Sequence, residues 1–107
     1  MADRYNAIAD RLLGIEKELR RLGFWEERPP ARDALNSALP FCYDTLNVAQ
    51  WVQFVLIARL KALIEADEPL PRECDIAPYA EEALRFEEKD TDRLLQMLRE
   101  LDRLLTI

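Results

Sequence analysis

Near the start of the chain, Tyr5, Ile8, Leu12, Ile15, Leu19 and Leu22 recur at alternating intervals of three and four. That spacing makes one side of a helix apolar and leaves the rest charged, and it predicts a helix over 3–24. Glu16 and Arg20, one turn apart, support it from the solvent side. Gly23 is placed to end it in a left-handed cap, from which Phe24 folds back onto Leu19. Gly14 lies nearly opposite the strip, where it costs about 1 kcal/mol relative to Ala. It reads as a tolerated defect or, with Ala7, as a small patch for a second contact.

Further along, Pro30 can open a short helix through about Ser37, and Pro40 forbids its continuation. Asn47, followed three residues later by Gln50, has the form of a capping box and starts a helix over 48–66. Pro69-Leu70-Pro71 is a stiff connection. Asp75 is the expected N-cap of a helix over 76–87, with Pro78 acceptable in its first turn. Asp90 caps a last helix over 91–105, where Leu94, Leu98, Leu101 and Leu105 form a strip flanked by Leu95, Met97 and Leu104. No segment alternates with period two. The pattern predicts an all-α, antiparallel up-and-down four-helix bundle over 1–107, one domain, with a short extra helix before the second main helix. Leu13, off the first strip, and the wide apolar arc of the last helix leave room for a homodimer through either helix.

The helix over 48–66 is apolar around most of its circumference and is expected to be the most enclosed. On a wheel of about 100° per residue counted from Trp51, Gln50, Lys61 and Glu65 fall between about 260° and 320°, the expected wet side. Arg59 falls at about 80°, between Val55 and Val52 on the apolar side. A buried arginine demands a partner. Asp44 is the expected one, with Glu81 or Glu82 as substitutes, in an enclosed ion pair that fixes the preceding loop onto the bundle. The other readings of Arg59 are an anion-binding site and a side chain reaching out to solvent.

Charge narrows the partners. The net charge is −6, and residues 65–92 hold 11 acids against 3 bases. Nucleic-acid binders need a basic face to displace counterions, so direct RNA or DNA binding is disfavoured. A docking face for a basic partner fits better than a nucleic-acid surface, while the plainest reading is a solvated acidic surface. The run from Val48 to Ile64 is broken by Gln50, Gln53, Arg59 and Lys61 and is no membrane span. The first residues carry no signal-peptide core, so a cytoplasmic chain with reduced Cys42 and Cys74 is expected.

Chemistry is sparse. The chain has no His, which removes the commonest base and metal ligand. There is no Gly-rich phosphate loop, and neither thiol has a histidine to activate it. Acid pairs such as Glu26-Glu27, Glu81-Glu82 and Glu87-Glu88 read as solvated surface charge. No cofactor or metal is expected. Tyr79, beside Pro78, reads as a core aromatic with its hydroxyl anchored, or as one wall of a shallow pocket.

Asn36-Ser37, Pro40-Phe41 and Asp44-Thr45-Leu46, then the run from Trp51 to Leu60, resemble the signature of the YqcC-like family of small, uncharacterised bacterial proteins. Pro69-Leu70-Pro71 and Ala77-Pro78-Tyr79 are similar to two further motifs of that family. One departure is Ala58, where the family commonly has Pro; it is expected to leave a straighter helix with its i−4 hydrogen bond intact. The resemblance implies a helical bundle and an association with a tRNA pseudouridine synthase. It carries no catalytic residue across. Phe41, Asp44, Thr45, Trp51, Gln53, Arg59 and Tyr79 match the signature and are the candidate site residues, with a folding role as the competing reading. The expected function is a non-catalytic interaction module, accessory to an RNA-modifying enzyme; the alternative is a small-molecule or anion-binding domain built on Arg59.

Overall fold

The strip that begins at Tyr5 folds as its spacing dictates. Helix α1 (Ala2–Leu22) buries Ile8, Leu12, Ile15 and Leu19. In this computed structural model, which describes residues 2–72 and 74–106, every regular element is a helix or helical turn. Gly23 ends α1 at φ 77°, and Phe24 N–H donates to the Leu19 carbonyl at 2.9 Å, the expected left-handed cap. The short helix α2 (Arg32–Leu35) is half as long as the expected segment from Pro30 to Ser37. A 3-10 turn over Pro40–Cys42 follows, with the proline in its first position.

The central rod, 48–65, is built from three pieces: α3 (Val48–Trp51), a π-helical turn (Val52–Ile57) and α4 (Ala58–Glu65). Its start is local, because Asn47 and Gln50 form the reciprocal capping box. Its middle departs from expectation. A π turn carries an extra residue, so every position after it rotates by about 100° relative to an uninterrupted α-helix. Leu60, at about 180° on the simple wheel, moves to about 80°, the place reckoned for Arg59, and is 0% exposed. Arg59 turns outward and is exposed. The Ala58 expectation also fails. Its N–H goes to the Val55 carbonyl, three residues back, rather than closing an i−4 bond.

After Leu70, which is buried, helix α5 (Ile76–Ala83) crosses to meet α6 (Asp92–Thr106). Asp75 is not its cap. Asp75 adopts a left-handed conformation at φ 50° and makes no capping bond. Asp102, on α6, caps α5 instead, accepting from Ile76 N–H at 3.0 Å and Ala77 N–H at 2.7 Å. Asp90 does cap α6, accepting from Asp92 N–H at 3.0 Å. Helix α6 packs on α1 and α5, burying Leu94, Leu98, Leu101 and Leu105, while the flanking Leu95, Met97 and Leu104 are half-buried and Leu13 stays 54% exposed. Arg4 closes the other end of the α1–α6 pair by donating to the Leu104 and Leu105 carbonyls.

Candidate functional site

The signature residues meet where the loop over 36–47 crosses the start of the central rod. Ser37 ties the loop into shape, because its hydroxyl donates to Asp44 at 2.6 Å and accepts from Leu39 N–H. Thr45 donates its hydroxyl to the Ala34 carbonyl at 2.7 Å, joining the loop to α2. Between these braces, Phe41 and Cys42 take left-handed conformations at φ 57° and 49°, unfavourable for residues with a Cβ. Packing holds them there. The Phe41 ring stacks on Tyr79 at 4.2 Å between centroids, with planes 3° apart, and meets Trp51 edge-on at 4.9 Å. Three elements thus converge on one aromatic cluster.

Gln53, in the π turn, is only 7% exposed and has both halves of its amide engaged. It accepts from Glu26 N–H at 2.9 Å and donates to the Glu26 carbonyl at 2.8 Å. The Glu26 carboxylate in turn accepts from the Gln50 side chain at 3.2 and 3.3 Å. Glu26 is therefore no solvated member of an acid pair. Its charge sits beside the N-terminus of the central rod, where a negative group is favoured. Glu81 and Glu82 do lie on the surface, but each is held by an arginine: Arg99 for the first and Arg85 for the second.

The expected Arg59–Asp44 pair does not form. Both residues are exposed, Asp44 is bonded to Ser37, and among the described residues no carboxylate lies within ion-pair distance of Arg59. The physical cause is the π turn, which takes Arg59 to the solvent side. Phe41, Trp51 and Tyr79 are brought into contact, Asp44 and Thr45 brace the loop beside them, and Gln53 fastens the neighbouring linker.

These elements enclose a cleft of about 470 Å³. Its apolar walls include Phe24, Leu46, Val48, Tyr79 and Leu84, and its acidic members are Glu26 and Glu87. Tyr43 stands at its rim, 58% exposed. Lys89 does not line it; its ammonium donates to the Leu22 carbonyl at 2.5 Å and lies 5.2 Å from the Phe24 ring centre. Tyr79 is half-buried, and burial pushes its phenol above the ordinary tyrosine range, so it stays protonated at neutral pH. Burial, then the nearby Asp102 carboxylate, likewise raise the Cys74 thiol, the opposite of what activates a nucleophile. Among the described residues, no group of His, Cys, Asp and Glu side chains could hold a metal ion, and no helix is long and apolar enough to cross a membrane.

The sequence profile of the family described as tRNA pseudouridine synthase C (DUF446) matches residues 7–104. The chain belongs to the YqcC-like family. The uncharacterised protein YqcC of Escherichia coli is 35% identical over 100 residues, covering 94% of this chain and 92% of that protein. Its solution NMR structure superimposes with a TM-score of 0.83 at 32% identity, over 95% of this chain and 87% of that one. A Pectobacterium carotovorum protein named tRNA pseudouridine synthase C is 39% identical over 69 residues. That match covers 64% of this chain and 18% of the longer protein.

Asp102 as a cap, the Gln53–Glu26 bonds and the Arg4 and Lys89 contacts to backbone carbonyls have no local signal in the sequence. Glu18 is a further case, 3% exposed and held by Arg21 through contacts of 2.9 and 2.5 Å. The only signal for Glu18 was its position next to the apolar strip, one residue before Leu19.

Proposed function

We infer that the chain is a non-catalytic interaction module that serves a tRNA-modifying enzyme of the pseudouridine synthase class. The observation that carries this reading is the Pectobacterium relative, in which a segment like this one accounts for 18% of a protein named for that activity. A helical unit that occurs alone in one protein and inside a longer enzyme in another fits an accessory that works beside the enzyme. The same reading takes the four long helical segments as an antiparallel bundle, located in the cytoplasm with its enzyme.

The site's chemistry is consistent with a non-catalytic role. Tyr79 and Cys74 are held protonated by burial, and Glu26 is committed to Gln50. Electrostatics favour a protein partner over RNA itself, since a net charge of −6 repels phosphates. Arg59 is exposed and, among the described residues, is not part of the lining of either of the two most voluminous clefts described, which weighs against an anion site built on it.

Affinity capture of the tagged chain at its native abundance, read by mass spectrometry, is expected to return the cell's tRNA pseudouridine synthase. A chain that repeatedly returns without it overturns the reading. Incubated alone with unmodified tRNA, the purified protein is expected to form no pseudouridine; robust formation would make it an enzyme.

A further inference from the structure

We propose that the cleft walled by Phe24, Tyr43, Tyr79 and Leu84 is the docking site for a basic segment of the partner protein, one that inserts an apolar side chain between Lys or Arg residues. The proposal rests on the accessory reading above and adds where, and by what chemistry, the partner is held.

Shape and charge point to the same occupant. At about 470 Å³ the cleft is large enough for a bulky side chain and its neighbouring backbone. Its walls supply aromatic and aliphatic surface, while the ionisable side chains lining it, Glu26 and Glu87 apart from the tyrosines, are acidic. No Lys or Arg lines it among the described residues, and Lys89 nearby is committed to the Leu22 carbonyl. An anionic ligand therefore meets the Glu87 carboxylate and the Gln50-bonded Glu26, with the Lys89 ammonium held behind the Gly23–Phe24 wall by the Leu22 carbonyl. A cation flanking an apolar anchor meets complementary groups of both kinds.

An exposed aromatic at the rim argues for a polypeptide over a small cation. Tyr43, which lines the cleft, is 58% exposed. Large exposed aromatics beside an apolar hollow are what protein interfaces use as anchors. Of the acidic stretch 65–92, the part that walls the cleft is Tyr79, Ala83, Leu84 and Glu87, while Glu68 lies beside Tyr5 at the other end of α1. The carboxylates of Glu26 and Glu87 therefore favour a basic segment at close range.

The test titrates the full-length chain with the intact tRNA pseudouridine synthase encoded in the same genome, by calorimetry and by 15N spectra of the labelled chain. Binding is expected to perturb Gly23, Tyr43, Tyr79 and Leu84, and to weaken steeply as salt is raised. Tyr43→Ser and Glu87→Lys alter exposed side chains, so both variants are expected to melt like the parent. Each is expected to weaken binding about tenfold or more, while Asp10→Lys, exposed near the middle of α1 and outside the cleft lining, leaves it unchanged. Binding with perturbations elsewhere, indifferent to Tyr43→Ser and Glu87→Lys, overturns the docking site and leaves the accessory function standing. Absence of any binding at micromolar concentrations overturns both.

Discussion

Replacing Asp102 with alanine separates the cap that the structure uses from the one that the local sequence offers. The first turn of α5 has few backbone donors, because Pro78 has none. Both Ile76 and Ala77 give theirs to the Asp102 carboxylate, at 3.0 and 2.7 Å. Those two residues are 0% and 2% exposed, so water has little access to take the carboxylate's place. A buried donor left without a partner costs about 1–3 kcal/mol, and a lost N-cap about 1 kcal/mol. Asp102→Ala is thus expected to destabilise the fold by about 3 kcal/mol. For a domain of this size that corresponds to a fall in Tm on the order of 15 °C. Asp102→Asn retains one acceptor oxygen and is expected to cost about 1 kcal/mol. Asp75→Ala is expected to stay within about 0.5 kcal/mol of the parent, since Asp75 makes no capping bond. Thermal and urea melts followed by circular dichroism read all three. If Asp102→Ala melts like the parent, or Asp75→Ala is the more damaging change, the cross-helix cap contributes nothing and the reasoning is wrong.

Three further changes probe other features. A methyl group built on Gly14 meets only the Met97 thioether, at 3.8 Å or more, so Gly14→Ala is expected to stabilise by about 1 kcal/mol in urea titrations; a loss of stability would reveal a close contact there. Ala58→Pro removes an N–H that makes no i−4 bond and is expected to cost well under the ~3 kcal/mol of a mid-helix proline, whereas Ala62→Pro, within regular α4, incurs that full cost; equal losses would argue against the π turn. The Arg21 guanidinium bonded to Glu18 holds its carboxyl below the ordinary value of 4.5. A depressed folded-state pKa contributes stability that is present above pH 4.5 and is lost as pH falls through the lowered value. Glu18→Gln is therefore expected to flatten the acid side of the stability–pH curve, and an unchanged acid limb would show the pair to be inert.

What the sequence determines by itself is whatever depends on neighbours a few residues apart. The strip from Tyr5 to Leu22, the left-handed stop at Gly23, the Asn47–Gln50 capping box and the Asp90 cap all depend on contacts within about one helical turn. Their geometry follows from 3.6-residue periodicity and the choice of small polar residues, and all four form as read. The candidate cluster is legible in part: Phe41, Trp51 and Tyr79 match one family signature, but their stacking requires a loop to fold across two helices. Tertiary structure alone decides where a partner comes from a distant element. Asp102 displaces Asp75 as a cap from 26 residues away, and Gln53 reaches 27 residues back to the Glu26 backbone. It also decides the face of Arg59. Sequence spacing assigns a residue to a helix face only while every turn holds the same number of residues. Between Val52 and Ile57 one turn takes an extra residue, and everything after it rotates by about 100°, exchanging a buried arginine for a buried Leu60.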